Sequence, residues 1–291
     1  MTSGGGKLRR FLAAAFVFLA IAAAGCERIR DSFAERTGSP ATPSSPPVQP
    51  QSIHLFFGNP SNAVQDENTP DNFLIIGEGS AISYSDTNGT PNWISWRTVK
   101  SDLGPSLRRP DFRPDPRLPE WYKRIVSTDY SGSGYDRGHM VPSADRFGDV
   151  RLNEETFIMT NIVPQTPALN QYPWEKLESY ARGQARRGFD VYQIAGVYGN
   201  KGILRNKVVV PSNCWKIIAV LPRGTTEANR RTRIIAVDMP NEDNIESQPW
   251  ERFRTTIRQV EERTGYDFFS SLPRELQDEL ETRFEISNNA N

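Results

Sequence analysis

Three runs of apolar residues set the strongest limit on how this chain can fold. Val191–Val197, Trp215–Leu221 and Arg233–Val237 are almost continuously apolar and rich in β-branched side chains. Strands exposed on one face alternate apolar with polar residues; near-continuous runs belong to strands covered on both faces. The chain must therefore supply material for both sides of a sheet. Shorter runs extend that sheet. Phe73–Ile76 and Ala81–Tyr84 flank a Gly-rich turn, and Asn88-Gly89 marks a hairpin leading into Trp93–Trp96. Two helices stand out. One is predicted over Pro173–Arg187, with Trp174, Leu177, Ala181 and Ala185 at core spacing and the proline in its first turn. The other is predicted over Trp250–Thr264, with Phe253, Ile257 and Val260 in register and Gly265 as its stop. Leu276–Phe284 reads as a short terminal helix. Grouped strands with a few inserted helices make an α+β fold: a central, mainly antiparallel sheet with flanking helices.

The N-terminus has a different character. Lys7, Arg9 and Arg10 precede an apolar run from Phe11 to Ala24, then Gly25 and Cys26. The run is shorter than the roughly 20 residues of a spanning helix and suits a signal peptide over residues 1–25. Ala-Ala-Gly-Cys resembles a lipobox, with Ala23 where lipoboxes usually carry Leu, so lipidation of Cys26 is the favoured reading. Ordinary cleavage after Ala22-Ala23-Ala24 is the other. Residues 26–51 are polar and contain Pro40, Pro43, Pro46, Pro47 and Pro50, as in a stiff, extended linker. The expectation is an exported protein, anchored to a membrane through Cys26 and facing the periplasm or exterior. The alternative is a soluble secreted or periplasmic protein. One domain over residues 52–285 follows the linker, with no second linker or repeat visible.

Charge and cysteine count narrow the function classes. The 291 residues carry 35 basic and 35 acidic side chains, and loss of the leader would leave a mature net charge of −3. That argues against a broadly basic nucleic-acid coat but not against a local basic cleft. Two cysteines exclude a disulfide framework and a Cys-rich zinc site. Cys214, at a strand start, reads as an inert thiol. Two histidines leave few routes to a multi-histidine metal centre.

Those two histidines are also the groups that titrate near neutrality. His54 lies in a strand-like segment beside the linker and reads as a surface or edge histidine, since nothing polar clusters near it. His139 lies in a charge-dense loop punctuated by Gly132, Gly134 and Gly138, directly after Asp136 and Arg137. Downstream, Asn161 leads towards Asn170, and the following helix carries Glu178 and Arg182. On spacing alone those two make a surface i,i+4 pair. Asn and Glu oxygens beside one histidine suit a hard cation such as Mg²⁺ or Mn²⁺, leaving the histidine free as a base. Arg108, Arg109 and Arg113 sit in an extended, Pro-rich segment. They read either as a solvated loop or as a grip on phosphate.

Taken together, Asp136-Arg137-Gly138-His139, Thr160–Gln165, Asn170-Gln171, Trp174 and Leu177-Glu178 resemble, in order, the DNA/RNA non-specific endonucleases of the ββα-metal type. Cyanobacterial members are the nearest in appearance. The resemblance spans about Phe73 to Leu272 and implies a ββα-metal active-site motif. It also implies roles. His139 would be the general base and Asn170 the direct ligand of one hydrated divalent ion. Glu178 would orient that ion's water. Arg137 and Arg182 would hold phosphate, and Arg108 (or the adjacent Arg109) would stabilise the transition state. Asp136 and Asn161 would support the site by hydrogen bonding. The implied activity is hydrolysis of DNA and RNA to 5′-phosphate products, without sequence or sugar preference. The alternatives are a phosphodiesterase of the same fold acting on another substrate, or a nucleic-acid-binding lipoprotein of a DNA-uptake apparatus.

Overall fold

The computed structural model describes residues 52–105, 107 and 110–284. The leader, Cys26, the linker, Arg108, Arg109 and the domain's end at 285 lie outside the described residues.

Strands β1 (Phe73–Ile76), β2 (Ala81–Ser85) and β3 (Thr90–Thr98) form a meander. Gly89, at φ 64°, turns the chain between β2 and β3. Then come β4 (Asp136–His139), helix α1 (Val150–Glu155) and β5 (Ile162–Gln165). Helical turns α2 (Pro167–Leu169) and α3 (Glu175–Arg186) follow, leading to β6 (Asp190–Tyr198). A small ribbon of β7 (Ile203–Leu204) and β8 (Val208–Val209) precedes β9 (Asn213–Leu221), β10 (Arg233–Pro240) and β11 (Arg254–Thr255). The described chain ends with α4 (Ile257–Thr264) and α5 (Arg274–Thr282). Seven strands make one antiparallel sheet in the order β1-β2-β3-β6-β9-β10-β11. β4 and β5 form a separate antiparallel ribbon.

The apolar runs explain the layering. Along β6 and β9, Val191, Ala195, Cys214, Ile218 and Val220 share a core with Trp174, Leu177, Ala181 and Ala185 of the α3 segment. The alternate residues, Tyr192, Ile194, Trp215, Ile217 and Ala219, pack with Ile257, Val260 and Leu280 of α4 and α5. Each large apolar side chain fully buried this way contributes about 1.5–3 kcal/mol. The sheet is thus covered on both faces, as the near-continuous runs require. Cys214 is fully buried, and burial pushes its thiol up to about 12, so it is an inert core residue.

Several elements differ from the sequence-based expectation. The helix predicted from Pro173 starts earlier, at Pro167, where the Thr166 side chain accepts from Leu169 N. Asn170–Trp174 forms a π turn with Pro173 inside it, and α3 continues from there. A widened turn accommodates the proline's ring and its missing donor without ending the helix. The helix predicted from Trp250 starts at Ile257. Trp250–Phe253 is a 3-10 turn, and Arg254–Thr255 pairs with β10 instead. Thr256 then caps α4 in a reciprocal arrangement with Gln259, and Gly265 ends it at φ 75°.

His54 is not a surface histidine. It sits in a 3-10 turn, not a strand, and is 7% exposed. Its Nε2 lies 2.7 Å from the Glu78 carbonyl, and Nδ1 accepts from Arg97 N at 3.3 Å. Burial pulls its pKa down to about 4, so at neutral pH it is an uncharged tie between the N-terminal turn and β3. Its polar partners are backbone groups, which side-chain pattern does not reveal.

Candidate active site

The Asp136–His139 segment is a strand, not the loop its glycines suggested. It pairs residue for residue with Ile162–Gln165: Asp136 with Gln165, Gly138 with Val163, His139 with Ile162. The glycines still decide its geometry. Gly132 and Gly134 take φ of 71° and 83° in the approach to the strand. At Gly138 a Cβ would run into the buried side-chain amide of Gln165, which would have to move to admit any other residue.

Asn161 locks the chain just beyond His139. Its Oδ1 accepts from Val141 N (2.9 Å), and its Nδ2 donates to Val141 O (3.0 Å) and Thr156 O (2.8 Å). Thr160 pins the preceding loop. Its hydroxyl donates to Asp115 (2.6 Å), a buried carboxylate also gripped in a fork by Arg117. Arg113 is held by its backbone against Phe157 and Met159.

The β4–β5 ribbon and the start of the helical run flank one open cleft of about 1020 Å³. Asp136, Arg137, His139, Asn170, Glu178 and Arg182 all line it. The His139 ring lies between Phe112 and Phe157, with centroids 5.5 and 5.0 Å away. Phe112 also carries the Arg137 guanidinium over its face at 5.2 Å, and Arg137 donates to Ser127 O. Aromatic packing thus fixes both the imidazole and the guanidinium at the cleft wall. Asp136 Oδ2 accepts from Asn170 Nδ2 (2.9 Å) and from Gln171 Nε2 (2.8 Å). That bond ties up the Asn170 amine and leaves Oδ1 as its acceptor. Asn170 opens the π turn, and its bond to Asp136 joins the start of that turn to β4.

Glu178 and Arg182 are not a surface pair. They are 9% and 7% exposed, with Oε2 and Nη1 3.7 Å apart. Arg182 is also held by Asp145 (3.3 Å) and by the Ser179 hydroxyl (2.9 Å). Behind Glu178, Lys216 of β9 places its ammonium 3.7 Å from Oε1. Burial pushes the Glu178 carboxyl up to about 7, opposed by the Lys216 and Arg182 charges. Burial also pulls the Lys216 ammonium below the usual lysine range, opposed by Glu178.

Asp145 organises the cleft floor. Its Oδ2 accepts from Trp96 Nε1 (3.0 Å), Thr98 Oγ1 (3.0 Å) and Gln193 Nε2 (3.0 Å), while Oδ1 faces Arg182. The site is thereby fastened to β3 and β6 of the central sheet. Asp145, Gln193 and Lys216 did not emerge from the sequence as site residues. One signal was present: Lys216 and Gln193 interrupt apolar strand runs, and a polar residue inside a buried strand needs a partner.

The donor chemistry fits a hard, hydrated cation. Among the described lining residues, Asp111, Asp136, Glu175 and Glu178 outnumber Arg137 and Arg182, so a phosphate entering needs additional positive charge. Asn170 offers an amide oxygen to such an ion, and Glu178 a largely buried carboxylate. Among the described residues, the one cluster of three potential His, Cys, Asp or Glu ligands is elsewhere, at Glu261, Asp267 and Glu281. A cation here would keep most of its water, as Mg²⁺ does.

Comparison with known proteins identifies the family. The profile of the DNA/RNA non-specific endonuclease family matches residues 58–275. A nuclease of Nostoc sp. is 41% identical over 248 residues, covering 84% of this chain and 89% of its own length. Nuclease C1 of Cunninghamella echinulata is 29% identical, covering 75% of this chain and 88% of its own. A chain in the crystal structure of the EndoG/EndoGI complex shares the fold, at a TM-score of 0.64 and 23% identity. That match covers 77% of this chain and 92% of the other. The chain therefore belongs to the DNA/RNA non-specific endonuclease family, whose members are metal-dependent nucleases.

Proposed function

We propose that this protein hydrolyses phosphodiester bonds of DNA and RNA to 5′-phosphate products, with His139 as general base and one hydrated Mg²⁺ or Mn²⁺ held by Asn170. The observation that carries this reading is the cleft that gathers His139, Asn170, Glu178, Arg137 and Arg182 around one space. His139 takes a proton from water as the oxygen attacks phosphorus. The bond from phosphorus to O3′ breaks, O3′ leaves as a hydroxyl with a proton drawn from solvent water, and the proton taken by His139 returns to solvent. Arg137 and Arg182 offset the negative charge that grows on the phosphoryl oxygens. Arg108, outside the described residues, is assigned to the same task. When bound, the divalent cation supplies further charge stabilisation at the phosphate and the leaving oxygen. Asp136 supports this by turning the Asn170 amide oxygen away from itself.

A site built to grip phosphate carries no sequence information by itself and does not require a 2′-hydroxyl, so DNA and RNA should both be cut. The test is product analysis after digestion of labelled duplex DNA and of single-stranded RNA with Mg²⁺. Fragments from both should resist 5′ labelling by a kinase until treated with phosphatase. Fragments ending in 3′-phosphate, or cleavage of only one nucleic acid, would overturn the reading.

A further inference from the structure

Strand β9 contains one residue that its surroundings do not explain. Alternation puts Lys216 on the face shared by Cys214, Ile218 and Val220, a position otherwise filled by apolar side chains. Lys216 is fully buried. Its ammonium lies over the Trp174 ring at 4.4 Å and near the Trp96 ring at 5.2 Å. The charged group it faces at short range is Glu178, 3.7 Å away. A buried ammonium carries a large desolvation cost, which only a good partner offsets.

The partner has need of it. Arg182 approaches Glu178 Oε2, but its guanidinium is shared among Asp145, Ser179 and Glu175. Lys216 approaches Oε1 from the sheet side. Two cations, Arg182 and Lys216, thus balance two buried carboxylates, Asp145 and Glu178. Trp174, whose ring cradles the ammonium, closes the same π turn that Asn170 opens.

We propose that Lys216 is a positioning residue that holds the Glu178 carboxylate from behind, so that it faces the cleft in the orientation a hydrated cation requires. Lys216 touches neither substrate nor cation; it acts through Glu178. The inference rests on the reading of Glu178 as a partner of that cation. Residues that orient a metal's surroundings typically matter about 10–100-fold in metal affinity. Deleting Lys216 also removes a charge that opposes the rise of the Glu178 carboxyl, so binding is compared at neutral and at alkaline pH. A loss caused by protonation of Glu178 recovers at alkaline pH, whereas a loss of orientation does not.

The experiment measures binding of Mn²⁺ alone, from the electron paramagnetic resonance signal of the free ion. It compares wild type, Glu178→Gln, Lys216→Met and the double variant. Lys216→Met is expected to weaken Mn²⁺ binding at least about 10-fold. The double variant should bind like Glu178→Gln alone, because Lys216 has no route to the ion except through Glu178. Unchanged or tighter binding in Lys216→Met, a loss that alkaline pH restores, or losses that add in the double variant, would overturn the proposal while leaving the role of Glu178 intact. If Glu178→Gln itself binds Mn²⁺ like wild type, the reading of Glu178 fails and this inference fails with it. If Lys216→Met does not fold, the double variant decides. Folding with the affinity of Glu178→Gln supports the pairing, and failure to fold makes Lys216 a packing residue and ends the proposal.

Discussion

Replacing His139 by alanine is expected to slow cleavage by about 10²–10⁴-fold, the usual worth of a positioned general base. The fold should survive. The ring sits at the cleft wall between Phe112 and Phe157, and the strand that carries it is held by backbone pairing to Ile162 and by the Asn161 clamp. None of those bonds uses the imidazole. His54 cannot substitute, being buried and tied to Glu78 and Arg97 on another element. The measurement is a single-turnover cleavage rate on a short duplex, with near-ultraviolet circular dichroism as the folding control. A folded His139→Ala protein that cuts within a few-fold of the wild-type rate would remove His139 from the mechanism.

Asp145→Ala should be the most damaging change to stability near the site, costing about 3–5 kcal/mol. The carboxylate is 1% exposed and receives three neutral donors on one oxygen and the Arg182 guanidinium on the other. Alanine leaves those donors buried. Thr98 and Gln193 can turn to each other, since they already lie 3.2 Å apart, and Arg182 keeps Ser179, Glu175 and Glu178, but the Trp96 indole has no such recourse in this arrangement and Arg182 loses its most buried carboxylate. Urea denaturation at neutral pH measures the loss directly. A decrease below about 1 kcal/mol would mean that water or rearrangement satisfies those groups, and that Asp145 is not the fastening described here.

The sheet was readable in the sequence because burial on both faces leaves a local mark. Trp215–Leu221 and Arg233–Val237 announce themselves residue by residue, and all but their ends agree with the structure. Helix starts were less readable. Pro173 looked like a first-turn proline because a π turn has no local pattern of its own, and Trp250 and Phe253 keep helical spacing while forming a 3-10 turn. The chemistry-bearing residues were legible as types but not as environments. Glu178 and Arg182 share a helix face at i,i+4, and that spacing is the same on a surface or beneath a cleft. Their burial is decided by β9 and by Asp145, both distant in sequence. Lys216 shows the converse. Its mark was local, a lysine inside an apolar strand run, but its meaning depended on a helix some 40 residues earlier.

If this cleft cuts phosphodiester bonds with the help of a divalent cation, chelation must stop it. Supercoiled plasmid is incubated with the wild-type protein in Mg²⁺ and in Mg²⁺ with excess EDTA. Nicked, then linear, then fragmented DNA is expected with Mg²⁺, and intact supercoils with EDTA. Equal cleavage in both, or intact plasmid in both, would contradict that expectation.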